Sequence, residues 1–387
     1  MIVGCTHAGV TAATQILKSH PETEVTIYER NANVSFLSCG IYLYLGGQVQ
    51  QLEDMFYTSP EQLATMGARV QIRHNVLKVD TRTQTLQVAN MQNGQVFDDH
   101  YDKLIMTTGS RVAVPPIVGI DESKVLLCKT YEQAQAIYQS AQTNQRIAIV
   151  GAGYIGTELA ESYANTHHDV TIFQAPNQIL NHYVSQAMSQ RAVALLREHG
   201  VNVLLEHRVT AFTSNANGEL QIETNQGDYT ADLAIVGIGF VPNTELLRGQ
   251  VKMDRHGTLL INDYVQTSNP NIYAAGDACV VKFNPTGQAA YTPLATNAVR
   301  QGMLAGVNVF GNQLPYMGTQ ATSAMQLFDH TLASTGLTYE EAQRNQLPVQ
   351  RVVYEGTWRP AYMPSTDSLT IELVYHQESR RILGAQL

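Results

Sequence analysis

A short strand, a glycine turn, a helix and a second strand follow one another at the start of this chain, and this pattern constrains the fold more than any other feature. Apolar Ile2 and Val3 lead into the turn 4–9 (Gly-Cys-Thr-His-Ala-Gly), a helix-like stretch follows to Ser19, and the next strand ends at Glu29. Backbone N–H groups at such a helix start bind pyrophosphate, and an acid about 20 residues later accepts ribose hydroxyls. We predict that a first nucleotide contacts Gly4, Thr6, Ala8, Gly9, Glu29 and Arg30.

The same pattern occurs a second time. Strand-like 146–150 precedes the turn 151–156 (Gly-Ala-Gly-Tyr-Ile-Gly), a helix is predicted through about Thr166, and a strand at 169–174 closes the unit. A glycine turn that lies between a strand and a helix is a strong nucleotide signal, whereas the isolated motif is weak. We predict that a second nucleotide contacts Gly151, Gly153, Tyr154, Ile155, Gly156 and Gln174.

Composition narrows the classes of function. A chain of 387 residues exceeds one ordinary core, so two or three domains are expected. Its net charge of −9 argues against nucleic acid as a partner, and its strand-sized apolar runs argue against a membrane protein. The four cysteines are widely spaced, so neither a disulfide scaffold nor a metal site is predicted, and no signal peptide fits before the first turn. We expect a cytoplasmic protein with small-molecule partners.

Two glycine-containing strands mark where the chain leaves the first unit and returns to it. The run 104–110 is followed by two prolines, which block regular structure and mark the exit from the first unit. The run 233–243 is predicted to be the matching connection that leads the chain back to it. Thr108, Gly109 and Gly239 in these runs are predicted to contact the cofactors. Beyond Tyr316, alternating segments such as 368–375 are typical of antiparallel strands.

The predicted fold class is α/β, with two doubly wound nucleotide-binding domains, the second inserted in the first, and a C-terminal α+β domain. The expected boundaries are 1–112 and 241–315 for the first domain, 113–240 for the inserted domain and 316–387 for the last.

The segment 267–277 indicates which nucleotide the first domain binds. It resembles the second FAD motif of flavoprotein disulfide reductases, in which a strand ends at a Gly-Asp pair whose carboxylate binds the ribityl hydroxyls. Gly276 and Asp277 form that pair here. An isolated Gly-Asp turn is common, but this one follows two nucleotide folds. We therefore expect FAD in the first domain and a nicotinamide nucleotide in the inserted one.

Cys39 is the candidate redox residue, and Ser38 beside it is predicted to contact the cofactor. Dithiol reductases of this superfamily carry two cysteines in this segment, but the position of the partner holds Tyr44, which cannot form a disulfide. A lone cysteine in an apolar segment is usually a packing residue. At the predicted start of a helix, however, the pKa of the thiol is expected to be lowered, and a thiolate without a partner can cycle through a sulfenic acid.

Three segments, 4–9, 35–40 and 294–302, resemble the NADH oxidase/NADH peroxidase family, and the resemblance extends over essentially the whole chain. It implies that His7 lies beside Cys39 and stabilises its thiolate or sulfenate, and that Arg300 is a weaker candidate for a nearby cation. It also implies cofactor contacts for Tyr154, Glu158, Leu294, Ala295 and Thr296.

The resemblance further implies a reaction and an assembly. The runs 299–300, 358–360 and 363–364 look more like those of the water-forming oxidases, which oxidise two NADH and reduce one O₂ to two waters through FAD and the cysteine. NADH peroxidase and coenzyme A-disulfide reductase stay open as alternatives, because both share the single cysteine. A flavin-bearing redox sensor is a more distant alternative. The family pairs through its C-terminal domain, so a homodimer is expected.

Several features depart from the family pattern. Thr6 replaces the middle glycine of the first turn, and only three residues precede Gly4. The chain ends at Leu387 whereas the family continues, so the C-terminal domain is expected to be incomplete. Gln174 stands where NADH-specific relatives usually carry an acid, and Val241 replaces an arginine. We therefore expect a preference for NADH with weaker discrimination against NADPH than an acid gives.

Overall fold

The computed structural model describes residues 1–215 and 218–387. Four of the helices in this described part begin at a Ser or Thr whose hydroxyl accepts a backbone N–H of the first turn. The helices that follow the two glycine turns, and α7, have no such side-chain cap, so their first N–H groups remain available to a ligand. The helices are α1 (His7–Ser19), α2 (Ile41–Leu45), α3 (Pro60–Thr65), α4 (Tyr131–Ala141), α5 (Tyr154–Asn165), α6 (Gln186–Glu198), α7 (Ala295–Asn308) and α8 (Tyr339–Arg344).

The strands are mostly short, and several have only three residues. In chain order they are β1 (Ile2–Val3), β2 (Val25–Glu29), β3 (Ala68–Ile72), β4 (His74–Asp80), β5 (Thr85–Asn90), β6 (Val96–His100), β7 (Leu104–Met106), β8 (Ser110–Val112), β9 (Val125–Leu127), β10 (Arg146–Val150), β11 (Asp169–Gln174), β12 (Asn202–Leu205), β13 (Val209–Ser214), β14 (Leu220–Thr224), β15 (Gly227–Ala231), β16 (Leu233–Val236), β17 (Phe240–Pro242), β18 (Ile272–Ala274), β19 (Val281–Phe283), β20 (Gln288–Ala290), β21 (Ser323–Leu327), β22 (His330–Gly336), β23 (Val349–Thr357), β24 (Ser368–His376) and β25 (Ile382–Gln386).

The first glycine turn lies in a parallel sheet of order β18-β7-β1-β2-β3. Ile2 pairs with Ile27 on one side and with Ile105 on the other, so even a two-residue β1 occupies a central place. Strands β1, β7 and β18 are buried along their whole length, as is typical of a parallel sheet that is covered on both faces. Strand β18 comes from far along the chain, which means that the chain returns to this sheet after the second unit.

The second glycine turn lies in a parallel sheet of its own, of order β12-β11-β10-β16-β9. Its central strand β10 is buried from Ile147 to Val150. Two small antiparallel sheets, β4-β5-β6 and β13-β14-β15, are appended to the two parallel sheets. The two connections between the units pair with each other as the antiparallel strands β8 and β17, with Val112 opposite Phe240.

The C-terminal region is an antiparallel sheet of order β21-β22-β25-β24-β23 with α8 beside it. The alternating segment 368–375 forms β24, as the sequence predicted. With two parallel α/β sheets and a C-terminal antiparallel sheet, the predicted fold class is confirmed. Within the described residues, no helix combines the length and the apolar character needed to cross a membrane.

Candidate functional site

The first turn is shaped by glycines that other residues could not replace. Gly4 adopts φ +98°, and a Cβ at this position would overlap the carbonyl oxygen of Thr107. A Cβ at Gly9 would overlap the carbonyl oxygen of Gly4, so Gly9 lets α1 pack directly on the turn. These two glycines place the start of α1 at the carboxyl edge of β1, where open α/β sheets bind their ligands.

Glu29 closes this turn from the neighbouring strand. Its carboxylate is buried, and its two oxygens accept backbone N–H groups of Cys5 and Asn31, each at 2.8 Å. Burial raises the pKa of Glu29, and the two backbone donors partly oppose that rise. Arg30 follows directly and provides a further positive charge. The carboxylate is therefore fixed at the end of β2, as the ribose-binding prediction requires.

The second turn repeats this geometry with an uncharged side chain. Gly151 adopts φ +102°, and a Cβ at Gly156 would overlap the carbonyl oxygen of Gly151. Gln174 is buried at the end of β11, where its Oε1 accepts the Ala152 N–H at 2.9 Å. Its Nε2 donates to the carbonyl of Gln178 at 2.8 Å. Both polar ends of this amide are thus engaged within the protein.

The middle positions of the two turns are equivalent. Thr6 is the N-cap of α1 and Gly153 is the N-cap of α5, and neither provides a side-chain cap. Thr6 is exposed, and no atom lies within 4 Å of a Cβ built at Gly153. Each middle position therefore faces open space beside the helix start, where Ala8 and Ile155 follow.

Asp277 is the centre of a polar cluster between the two units. Its Oδ2 accepts the Ser110 hydroxyl at 2.7 Å and lies 3.5 Å from the Lys129 ammonium. Lys129 also donates to Ser110 Oγ at 2.8 Å and sits over the ring of Phe240 at 3.9 Å. Burial lowers the pKa of Lys129, and Asp277 opposes this effect. A cation from the second unit thus faces the carboxylate predicted to bind the flavin ribityl chain.

The start of α7 converges on the same place. Gly276 donates its N–H to Gln301 Oε1 at 2.9 Å, and a Cβ at Gly302 would overlap the backbone of Ala8. Helix α7 therefore packs against α1 with no space for a side chain between them. Leu294 is the N-cap of this helix and Ala295 and Thr296 are its first residues, and Ala298 one turn later lies beside Gly276.

Cys39 is exposed, whereas the other three cysteines are buried. It lies in a single 3₁₀ turn, Ser38–Gly40, directly before α2. Neighbouring atoms desolvate its thiolate although the side chain is accessible, so the pKa of Cys39 is raised, with Glu158 adding to the rise. The expected lowering is wrong for the polypeptide alone, because α2 has only five residues and its dipole is outweighed by desolvation.

Tyr57, which the sequence did not single out, lies near both His7 and Cys39. Within residues 1–215 and 218–387 no hydrogen bond joins His7 to Cys39, but the ring of Tyr57 stacks on His7 at 5.8 Å with an interplanar angle of 3°. Tyr57 is held beside the cysteine segment because its neighbour Phe56 pairs with Phe36. Burial raises the pKa of Tyr57, with smaller contributions from nearby thiolates, Cys39 included. Burial also lowers the pKa of His7, which favours a neutral ring.

Helix α5 contributes two further predicted side chains, Glu158 and Tyr154. Burial, with the charge of Glu161, raises the pKa of Glu158 to about 8, so this carboxyl carries a proton at neutral pH. Tyr154, in the first turn of the same helix, shares a hydrogen bond of 2.6 Å with Ser323 Oγ of the C-terminal sheet. The structure therefore places a neutral acid near the cysteine and a phenol at the second turn.

A family model for pyridine nucleotide-disulphide oxidoreductases matches residues 1–302. The chain belongs to this family. An NADH oxidase of Enterococcus faecalis is 46% identical over 388 residues, which span 100% of this chain and 87% of that protein. The structure is similar to that of a water-forming NADH oxidase from Lactobacillus brevis bound to NADH, with a TM-score of 0.98, 48% identity and coverage of 100% of this chain and 85% of that one. An engineered water-forming NADPH oxidase derived from it, bound to NADPH, gives a TM-score of 0.98 at 47% identity, covering 100% of this chain and 86% of that one. The family resemblance inferred from the sequence is confirmed.

The remaining predicted cofactor contacts, Thr108, Gly109 and Gly239, lie in the two connections between the units of this oxidoreductase. Thr108 Oγ1 donates to the Asn243 carbonyl at 2.6 Å, and the Asn243 N–H donates to the Gly109 carbonyl at 2.9 Å. Gly239 accepts the Ala113 N–H at 2.9 Å. These residues hold the two connections together beside Asp277.

Sequence reasoning missed four residues of the site in this oxidoreductase: Ser110, Lys129, Tyr57 and Ser323. Only Lys129 had a usable signal, because it follows β9, one of the strands whose carboxyl ends line the ligand edge of a parallel sheet. Arg111 was also missed. It stands directly opposite Val241 in the β8–β17 pair, so a cation is present there although position 241 lacks one.

Proposed function

We propose that this protein is an FAD-dependent NADH oxidase that reduces O₂ to water. FAD would bind at the first turn, between Glu29 and Asp277, and NADH at the second turn. The observation that carries the proposal is the isolation of Cys39, the single exposed cysteine of the four, in the turn before α2 and within electrostatic reach of Glu158 of the second unit. The relatives named as NADH oxidases, one of them water-forming, support the same activity.

The residues present fit both nucleotides. At the first turn, uncapped N–H groups at the start of α1, a glycine cradle and a fixed carboxylate match the needs of a pyrophosphate and a ribose. At the second turn the cradle is the same, and Gln174 takes the place of the carboxylate. Lys129 and Ser110 hold Asp277 in one orientation for the hydroxyls of a ribityl chain.

FAD, when bound, supplies hydride acceptance from NADH and electron transfer to O₂. The chain's own part of the reaction is the reduction of peroxide at Cys39. The Cys39 thiolate attacks one oxygen of hydrogen peroxide, the O–O bond breaks, and the leaving hydroxide takes a proton to become water. The resulting sulfenic acid, one NADH and one proton then give the thiol, NAD⁺ and a second water, so two NADH and one O₂ yield two waters in all.

Glu158 is placed to serve the proton steps. Its carboxyl is protonated at neutral pH, and it lies close enough to Cys39 for its ionised form to raise the pKa of that thiol. A neutral acid near the thiol can protonate the leaving hydroxide, which an ionised carboxylate could not do. His7, kept neutral by burial, can donate one hydrogen bond to the sulfenate without adding a full charge.

The test is the stoichiometry of Cys39→Ser. A serine hydroxyl cannot cycle through a sulfenic acid, while the turns that bind both nucleotides are unchanged. We expect O₂ consumption to move from one per two NADH toward one per NADH, with peroxide that catalase removes. Cys128→Ala, in the core, is the matched control and should keep the wild-type ratio. A Cys39→Ser enzyme that still produces only water would refute the proposal. Rapid NADH consumption by the wild type with peroxide or coenzyme A disulfide, but not with O₂, would instead assign it to the other branches of the family.

We further propose a homodimer that pairs through the C-terminal sheet, and a cytoplasmic location. The dimer is supported by apolar side chains on β23, of which Val352, Val353 and Tyr354 are 51%, 48% and 54% exposed. The location is supported by four free thiols and by NADH as the proposed substrate.

A further inference from the structure

The C-terminal sheet contacts the second nucleotide unit along one face of helix α5. Tyr154 Oη and Ser323 Oγ share a hydrogen bond of 2.6 Å between α5 and the first residue of β21. Two helical turns later, Glu161 Oε1 accepts the N–H of Phe328 at 2.6 Å, at the turn that follows β21. Strand β21 is therefore attached to α5 at both of its ends.

The middle of β21 reinforces these two hydrogen bonds by packing. Met325 and Leu327 are buried in the same apolar core as Leu159 and Ala160 of α5. Strand β21 and helix α5 therefore pack against each other, and Ser323 is held at a fixed position along the helix. The serine hydroxyl has little freedom to leave Tyr154, and Ser334 Oγ at 3.5 Å is its other polar neighbour.

The ring of Tyr154 is also restrained within its own unit, by the loop that follows β11. It packs on the ring of Tyr183, with the centroids 4.2 Å apart. The loop that carries Tyr183 is bonded to the turn, because Leu180 donates its N–H to the carbonyl of Ala152 at 2.7 Å. Tyr154 therefore stands beside Gly153, fixed by a ring contact from its own unit and by a hydroxyl contact from the C-terminal sheet.

We propose that Ser323 is a positioning residue for the nicotinamide nucleotide, acting through the hydroxyl of Tyr154. This inference rests on the proposed binding of NADH at the second turn. Tyr154 comes directly after Gly153, whose open middle position is where the pyrophosphate would lie, so the ring borders the path of the remaining part of the nucleotide. A ring fixed at both ends narrows the orientations of the bound nucleotide, and loss of the Ser323 hydroxyl leaves it fixed only by Tyr183.

Loss of the Ser323 hydroxyl should disturb the orientation of the bound nucleotide more than its affinity. Small misplacement of a reacting group lowers rate strongly, since much of catalysis is positioning. In Ser323→Ala we expect the rate of anaerobic flavin reduction at saturating NADH to fall about 5–20-fold, while the Kd of NAD⁺ changes less than about twofold. Ser323→Thr keeps a hydroxyl on a strand that tolerates β-branching and should restore the rate.

A double-mutant cycle isolates the hydroxyl pair. Tyr154→Phe removes the same hydrogen bond from the other side, so the double variant should lose no more than either single variant, both in flavin reduction and in the unfolding equilibrium of the FAD-free protein. Thr322→Ala is the matched control, because Thr322 is the neighbour of Ser323 and pairs with Thr335 at 2.7 Å, away from α5. It should behave as the wild type.

The variant Gly153→Val tests whether NADH binds at the second turn, separately from the role of Ser323. A Cβ built here meets no atom within 4 Å, so we expect the fold to be kept while NAD⁺ binding weakens. If Gly153→Val binds NAD⁺ as the wild type does, the placement of the nucleotide is wrong and the role of Ser323 falls with it. If Gly153→Val loses binding but Ser323→Ala reduces its flavin at the wild-type rate, or the two hydroxyl deletions add, only the role of Ser323 is overturned.

Discussion

The backbone N–H of Cys5 donates a hydrogen bond of 2.8 Å to the buried carboxylate of Glu29. The second turn makes the same contact between Ala152 and the amide of Gln174, at 2.9 Å. The two nucleotide folds therefore share this contact and differ by one charge at the position proposed to bind an adenosine ribose. A carboxylate repels a 2′-phosphate, whereas an amide does not. This difference is the basis of the first prediction.

Gln174→Glu should sharpen the preference for NADH over NADPH. Glutamate has the length of glutamine and can keep the Ala152 N–H bond, but it cannot donate to the Gln178 carbonyl, so it adds a charge at the cost of that second contact. We expect the ratio of kcat/KM for NADH to that for NADPH to rise by about 1–3 kcal/mol in free-energy terms. Gln174→Asp should act in the same direction, but the shorter side chain cannot reach both present partners. An unchanged ratio in both variants would show that residue 174 is not the discriminator.

Gly9→Ala should destabilise the first unit, because the added Cβ would overlap the carbonyl of Gly4. Overpacking of this kind typically costs about 1–3 kcal/mol. Urea unfolding of the FAD-free protein measures the loss. Gly153→Ala is the control, since its Cβ meets no atom within 4 Å and its φ of −78° suits any residue. Equal stability of the two variants would contradict the packing argument.

Glu158 should make the stability of the FAD-free protein fall with rising pH. Its pKa is raised from 4.5 to about 8 in the folded chain, so folding retains a proton that the unfolded chain releases. The stabilisation is complete below pH 4.5 and is lost as the pH rises through about 8. The slope is at most about 1.4 kcal/mol per pH unit, and smaller because water reaches this partly exposed carboxyl. Glu158→Gln should flatten the profile between these limits, and identical profiles for variant and wild type would contradict the assignment.

Tyr354→Asp should weaken the proposed dimer. Tyr354 lies on β23 among exposed apolar residues at the edge of the C-terminal sheet, and a charge there would have to be desolvated on pairing. We expect the wild type to sediment as a dimer at micromolar concentration and the variant to dissociate at least about tenfold more readily. Val96→Asp, at another exposed strand residue, is the control. A monomeric wild type at this concentration would count against the dimer.

The sequence by itself determined the two nucleotide folds. Glycines at 4, 9, 151 and 156 and the strand-helix-strand order around them are local features, because they depend on φ angles and on packing between neighbouring elements. The position of Cys39 directly before a helix, and the alternation that forms β24, could be inferred for the same reason. The family resemblance followed from these segments.

Only the tertiary structure decided how the site is completed. Lys129 meets Asp277 across 148 positions, and Tyr154 meets Ser323 across 169. No local pattern encodes such pairs, since they exist only after the sheets are stacked and the connections are paired. The pKa of Cys39 was mispredicted for a related reason: the helix start was visible in the sequence, but the atoms that desolvate the thiolate come from elsewhere in the fold. The local sequence determines the secondary structure of each unit. The charge, burial and orientation of the side chains at the site depend on which units the fold brings together.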